Sequence, residues 1–409
     1  MRRPFTSAML RKVKDLFYVL ATVQILLGLY AVFEGSRWLG MVRRRLTAAP
    51  AFFTPRVAVI CACKGAEAEL EGNLLALCDF DYSGYEIFLS LASASDPAHA
   101  IARRVAERSK IKVHLVIAGK AQGCGEKVNN LRAAIDEIPE EFEVFVFTDS
   151  DGRPGRPWLK RMVASLASTK IGATTTMRWF FPAKGGIANA LLTAWNAAIV
   201  TFLGEHKNNF CWGGGTAIRR EVFEQAGVRE SWRTAVADDF ALTNAVKGTG
   251  GEIYFAPECL VPSITAVDFA GLLEFTNRQM IITRVYAHRV WLQGGAVHLF
   301  YSLTMLYGLV LLATEIIAGV PVLQLAVIVL VPAILAMVRG VLRVLALVEI
   351  FPALRQKVLE QSWMVTFVAA FVPFVYSVNF LVSAVTRKIC WRGVRYELVS
   401  PQQTKILPG

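Results

Sequence analysis

The stretch "FVFTDSDGRPGRPW", Phe145 to Trp158, carries a β-branched and aromatic run into two aspartates and then dissolves into glycine, arginine and proline. The first part reads as a buried strand. The last reads as a turn into a helix, with Pro157 suited to the first helical turn. Asp149 and Asp151 stand between them. Two carboxylates two residues apart at a strand end can send one toward a hard cation such as Mg²⁺ or Mn²⁺, which favours oxygen ligands. They can equally open the turn that Asp151-Gly152 begins, so spacing alone leaves both readings standing.

Working outward, that strand is the fourth of a series. "VAVICA" precedes "EAELEGNLLALC", "EIFLSLA" precedes "PAHAIARRVAERS", "KVHLVIA" precedes "EKVNNLRAAIDEI", and "EVFVFT" precedes "PWLKRMVASLAS". Four strand-then-helix units in a row predict an α/β domain with a mostly parallel sheet, because parallel strands need crossover helices that cover both faces. In such sheets ligands bind beyond the carboxyl ends of the strands, which is where the two aspartates fall. No Gly-x-Gly-x-x-Gly or Walker loop follows any of these strands, which removes the usual signatures of dinucleotide and ATP chemistry.

This domain cannot be the whole molecule. The 409 residues are 54% hydrophobic, with a mean hydropathy of +0.43, too apolar for a wholly soluble chain. "LFYVLATVQILLGLYAVF", Leu16 to Phe33, has eighteen residues without a formal charge, enough to cross a hydrocarbon core of about 30 Å. No small-residue cleavage site follows it, so it reads as an uncleaved anchor. Three more apolar segments follow from Val297: "VHLFYSLTMLYGLVLLATEIIAGV", "PVLQLAVIVLVPAILAMV" and "WMVTFVAAFVPFVYSVNFLVSAV".

The net charge of +12 sits largely beside those segments, in "MRRPF", "MLRKVK", "MVRRRL", "VRGVLR" and "TRKICWRGVR". That placement points to an anionic membrane surface and away from nucleic acid. The seven cysteines show no second pair at zinc spacing, and reduced thiols are expected.

Two later stretches bear on chemistry. "NNFCWGGGTAIRREVFEQAG" places three glycines where a backbone could approach a ligand or simply turn. In "VADDFALTNAVKGTGGEIYF" the acids precede a helix. Neighbours on a helix point about 100° apart, so at most one of Asp238 and Asp239 aims into a pocket while the other favours the helix N-terminus. After the next strand, "FAGLLEFTNRQMIITRVYAHRVW" interleaves apolar residues with Arg278, Arg284, His288 and Arg289, the pattern of a helix lying at a membrane interface. His288 sits there among cations and is not assigned catalysis.

Taken in order, "CKGAEAELEGNLLAL", "DYSGYEI", "SDPA", "EKVNNL", "TDSD", "GGGTAIRREVF", "ADDF", "RQMIITRVY" and "WRGVRYEL" resemble the inverting glycosyltransferases of families 2 and 21. The likeness is closest to the ceramide glucosyltransferase branch and its bacterial membrane relatives, and it spans nearly the whole chain.

The resemblance implies a GT-A (Rossmann-like) catalytic domain between N-terminal and C-terminal transmembrane helices. The expected division is an anchor over 1–45, the GT-A domain over 46–268, an amphipathic interface helix over 269–294, a transmembrane region over 295–386 and a basic tail over 387–409. It implies transfer of a hexose or amino-hexose from a nucleotide sugar, UDP-linked, to a lipid acceptor such as ceramide. The chain would be integral to a bacterial inner membrane, with its catalytic domain cytoplasmic. Asp149 and Asp151 would form the metal site for Mg²⁺ or Mn²⁺, with Asp151 the direct ligand. Lys127 and Asn130 would lie by the nucleotide or its phosphates, and Ser93 and Asp96 by the base. Asp239 would be the catalytic base, with Asp238, Trp212, Gly213, Gly214, Arg278 and Gln279 toward the acceptor or the interface.

Two departures mark the chain. Ser93 stands where many relatives carry a uracil-contacting Asp, leaving Asp96 alone. Ile281 and Ile282 stand where an Arg-Trp pair would complete the motif begun by Arg278 and Gln279. The second departure disfavours a processive polysaccharide synthase, and together they motivate the other rival, a catalytically silent sugar-lipid binding protein. Three complete C-terminal spans would strand the basic tail on the far side of the membrane from a cytoplasmic domain. The Pro373-containing segment is therefore expected to be re-entrant.

Overall fold

The computed structural model describes residues 7–408. The chain begins with helix α1 (Ser7–Thr47) and enters the expected alternation: β1 (Val57–Ala62), α2 (Leu70–Leu77), β2 (Tyr85–Leu91), α3 (Pro97–Arg108), β3 (Val113–Ile117), α4 (Glu126–Asp136), β4 (Val144–Asp149) and α5 (Trp158–Ala164). There follow β5 (Ile171–Thr175), β6 (Arg178–Pro182), α6 (Ile187–Val200), β7 (Gly215–Arg219), α7 (Arg220–Gln225), α8 (Val228–Ser231), α9 (Asp238–Gly248), β8 (Glu252–Phe255) and β9 (Val261–Thr265).

Seven strands form one sheet in the order β3-β2-β1-β4-β7-β5-β8, parallel throughout except for β7, which runs antiparallel to both neighbours. The sheet is thus mostly parallel, as the alternation requires. β1 and β4 are buried along almost their whole length, since helices cover both faces and leave no solvent side for polar residues. β6 and β9 pair parallel in a small second sheet. Ser263 Oγ donates to the Asp151 carbonyl at 3.0 Å, and Arg153 N to the Pro262 carbonyl, so β9 lies against the loop that follows β4.

The remaining helices are α10 (Phe269–Tyr286), α11 (His288–Ile317), α12 (Leu323–Ile350), α13 (Arg355–Glu360), α14 (Ser362–Thr366) and α15 (Val372–Val385). Helices α1, α11 and α12 are long and apolar enough to cross a membrane. Large residues such as Leu26, Phe33, Val310 and Leu330 are exposed on them, an apolar belt that water would not tolerate. Gly28 lies against Leu335 and Gly35 against Leu342, so α1 and α12 pack closely and run the same way. Ion pairs tie this bundle near both ends, Lys14 to Glu315 and Arg43 to Glu349.

Two details bear on the expected layout. The interface helix stops at Tyr286, where a break at Ala287 hands 288–294 to α11. The third C-terminal apolar segment is a pair, Ser362–Ala370 and Val372–Val385, bent by 65°. Just before it Gln361 Nε2 donates to the Pro182 carbonyl of the catalytic domain, and past α15 the Cys390 carbonyl accepts from Arg278 of α10.

The basic tail is not a loose extension. Over 387–408 it forms β10 (Lys388–Trp391), β11 (Val394–Ser400) and β12 (Gln403–Leu407), an antiparallel sheet. Its alternating residues Ile389, Tyr396 and Leu398 bury themselves beside Val128 and Leu131 of α4. The "MRRPF" start lies outside the described residues.

Candidate active site

Asp149 is the last residue of β4 and Asp151 follows it by two, so both stand at the carboxyl edge of the parallel strands. The loop is held by backbone bonds as well as by its own turn: Asn73 Nδ2 donates to the Ser150 carbonyl at 3.0 Å, beside the two bonds from β9. The turn and the site are therefore the same object. It opens into a cavity of about 570 Å³ whose walls include Lys64, Glu67, Lys127, Asn130, Asp149, Asp151, Arg178, Phe180, Phe275, Arg278, Gln279, Trp391 and Arg392.

A chain of charges crosses the floor. Lys127, the second residue of α4, places Nζ 2.7 Å from Asp149 Oδ1 and 3.2 Å from Asp238 Oδ2. Arg178, which opens β6, spans both loop acids: Nη2 to Asp149 Oδ2 at 2.8 Å and Nη1 to Asp151 Oδ2 at 2.7 Å. Its guanidinium lies 4.9 Å from the Trp212 ring.

Two of the three glycines face this cluster, while a Cβ on the third, Gly215, would meet Thr176 and the Trp212 ring. A Cβ on Gly213 would sit 2.6 Å from Lys127 Nζ and against the Asp238 carboxylate. One on Gly214 would sit 2.6 Å from Asp149 Oδ2. What approaches that backbone is the protein's own charged side chains.

These neighbours push the carboxyls apart. Burial alone would raise Asp149, but Lys127 and Arg178 outweigh it and hold the group below the usual aspartate range. Burial raises Asp238 despite Lys127. Burial and then the Asp238 charge push Asp239 up to about 7, against the pull of Lys127. Lys127 itself, although burial opposes its charge, is held cationic by Asp149 and Asp238.

The donor set fits a hard cation. Asp151 Oδ1 is buried with no hydrogen-bond partner, an oxygen left over after Arg178 has taken its neighbour. No third His, Cys, Asp or Glu gathers with the pair among the described residues. A cation held here would therefore complete its coordination with ligand oxygens, the usual arrangement where Mg²⁺ meets phosphate. Asn130, one helical turn beyond Lys127, also turns a buried, unpartnered Oδ1 into this region.

Of the residues expected from sequence, Asp149, Asp151, Lys127, Asn130, Arg278 and Gln279 are brought together in the cavity wall. Asp238, Trp212, Gly213 and Gly214 stand directly behind that wall against Lys127, Arg178 and Asp149. Asp239, at the start of α9, is partly exposed, and its Oδ1 accepts from the Phe240 amide.

Ser93 and Asp96 lie outside the wall. Ser93 Oγ pairs with Ser95, and Asp96 caps α3 through Ala98 N while also accepting from Gly65 N at 2.8 Å. Both bonds fall on Oδ1, and the one from Gly65 also braces the loop from Lys64 to Glu67 that lines the cavity. Ile281 and Ile282 are packed in the core beneath α9.

The quoted motifs "CKGAEAELEGNLLAL" and "WRGVRYEL" contain Glu67, Trp391 and Arg392 without giving them a role, and Arg178 lies in no motif. Arg178 left one faint mark, a lone cation opening the apolar run "RWFFP".

Comparison with known proteins follows the same lines. The family described as "Glycosyl transferase family 21" matches residues 16–404. Among solved structures, one similar chain is the mannosyltransferase PcManGT from Pyrobaculum calidifontis, in complex with GDP-Man and Mn²⁺. It has 16% identity and a TM-score of 0.48, over 90% of this chain and 98% of that one. Another is GalNAc-T7 with UDP, GalNAc and Mn²⁺, with 12% identity and a TM-score of 0.39, over 56% of this chain and 48% of that one. The family match runs from the apolar part of α1 into β12, taking in anchor, charged cavity and C-terminal sheet as one architecture, and the chain belongs to glycosyl transferase family 21, a family of glycosyltransferases.

Proposed function

We propose that this chain is a membrane-embedded inverting glycosyltransferase that moves one hexose or amino-hexose from a UDP-sugar to the hydroxyl of a lipid such as ceramide. The observation that carries this reading is the two-sided character of the cavity. One side is the charged floor of Lys127, Asp149, Asp151 and Arg178; the other is apolar, made by Phe180, Leu192, Val267 and Phe275. Exposed Ile187, Ile264, Phe269 and Leu273 extend the apolar character around β9 and the start of α10, a surface suited to a bilayer.

In the mechanism, Asp149 and Asp151 would hold Mg²⁺ or Mn²⁺, which when bound supplies charge to neutralise the departing diphosphate. Lys127 and Asn130 position the donor. Arg178 keeps the two acids facing one another. Asp239, with its proton affinity raised to about pH 7, takes the proton of the acceptor hydroxyl as that oxygen attacks the anomeric carbon from the face opposite the diphosphate. The apolar wall orients the lipid and excludes water from the donor. The catalytic domain would face the cytoplasm, where nucleotide sugars are available, in a bacterial inner membrane.

The test is a panel of nucleotide sugars, with Mn²⁺ or Mg²⁺ and a lipid extract, offered to the full chain in detergent, with product masses measured. A single added hexose on a lipid is expected, abolished in Asp151→Asn and Asp239→Asn. A ladder of masses would indicate a processive synthase. Absence of both transfer and donor hydrolysis across the panel would overturn the reading.

A further inference from the structure

β10 and β11 are joined by the two residues Arg392-Gly393, with Trp391 paired to Val394. Both have positive φ, 47° and 80°. This is the pattern of the tightest hairpin loops, whose first position is ordinarily Asn, Asp or Gly. Arg392 is the one non-glycine residue with positive φ among the described residues. A residue with a Cβ is disfavoured in that conformation, so the hairpin would be more stable with Asn or Gly there. Strain of this kind collects where a side chain is needed.

The side chain reaches the donor cavity. Arg392 Nη1 donates to the Lys64 carbonyl at 2.8 Å and lies 2.9 Å from Glu67 Oε1, while no hydrogen bond from Nη2 or Nε is found among the described residues. Beside it Trp391 forms cavity wall, with the Arg278 guanidinium over its ring. The hairpin is fixed in place. Tyr396 Oη accepts from the Glu126 amide at the start of α4, Thr404 donates to the Thr234 carbonyl, and Arg278 donates to the Cys390 carbonyl.

The charge count of the cavity gives this arginine a purpose. Lys127 is shared by Asp149 and Asp238, and Arg178 by Asp149 and Asp151, so both floor cations are already spent on acids, while in the wall Lys64 pairs with Glu126 and Arg278 with Glu274. Arg392 is held by one carboxylate, Glu67, whose side chain is 53% exposed. Exposed pairs of that kind contribute little to stability and are readily exchanged. A guanidinium fork with a free edge matches phosphate oxygens.

We propose that Arg392 is a donor-binding residue, delivered over the site by the C-terminal hairpin, which exchanges Glu67 for the diphosphate of the nucleotide sugar. The proposal rests on the nucleotide-sugar reading above.

The experiment measures UDP and UMP binding calorimetrically, with Mn²⁺, to the full-length protein in detergent. Arg392→Asn is expected to unfold at or above the wild-type temperature while losing at least tenfold in UDP affinity, with a smaller loss for UMP. Arg392→Lys should recover part of the loss, and Glu67→Gln should bind UDP as tightly as wild type or tighter. UDP affinity unchanged in Arg392→Asn would overturn the proposal. So would an equal loss for UDP and UMP accompanied by a lower unfolding temperature, the signature of a purely structural hairpin. Failure of the wild type to bind UDP would instead remove the nucleotide-sugar reading itself, and Arg392's role with it.

Discussion

A carboxyl that takes a proton from a sugar acceptor works best when its pKa lies near the working pH. Asp239 and Asp149 share one charge cluster and are driven opposite ways, the first up to about 7 by burial and Asp238, the second down by Lys127 and Arg178. That separation suits two roles, base and cation ligand. The rate constant kcat/KM should therefore rise about tenfold per pH unit below 7 and level off above it; a flat profile from pH 5 to 8 would remove Asp239 from the role of base. The same shift has a stability consequence. An aspartate unfolded near pKa 4 and folded near 7 holds its proton more tightly in the native state, so the native state loses stability as pH rises through that window. Asp239→Asn should accordingly raise Tm at pH 8 and leave it nearly unchanged at pH 4, as calorimetry at the two pH values can check. Asp149 and Asp151 stood out because they sit at a strand end, and Lys127 and Asn130 came only through the family resemblance; all four line the cavity. Arg178 was not legible, because its role comes from β6 lying across from β4, a contact 29 residues away in sequence.

At the level of elements, the four strand-helix units were readable almost to the residue, since buried parallel strands demand unbroken apolar runs and their helices demand the 3.6-residue period. "VAVICA" is β1 as read. Close packing was not readable, because glycine carries no label for what it faces. Gly28 and Gly340 both lie on membrane-region helices, yet a Cβ on Gly28 meets the flexible end of Leu335 while one on Gly340 meets the backbone of Val365 and Thr366. Gly340→Ala should cost about 1–3 kcal/mol by pushing α12 off α14, and Gly28→Ala distinctly less. Thermal unfolding in detergent compares them, and equal effects would show that α14 yields. "WRGVRYEL" stood out as a motif but not as strands, because a short basic segment alternates too briefly until α4 supplies its apolar partner.

For the molecule as a whole, α1, α11 and α12 are each long and apolar enough to cross a membrane, and the bent pair is a broken span or a re-entrant loop. The C-terminal sheet lies on the same side as the catalytic domain, where Tyr396 and Thr404 are bonded to it. Cys390 in that sheet and Cys78 after α2 are the two partly exposed thiols among the described residues. In sealed vesicles a membrane-impermeant maleimide should reach both or neither. Labelling of one from each side would overturn the arrangement. The sequence by itself determined the class of the domain, the presence of membrane helices and the acids at the fourth strand, because hydrophobic periodicity and local turn chemistry are written in consecutive residues. Only the tertiary structure decided which cations hold those acids, why Gly213 and Gly214 stand behind them, and that the basic tail closes over the cavity. Those depend on which distant segments share a wall, and that follows from how the whole chain packs.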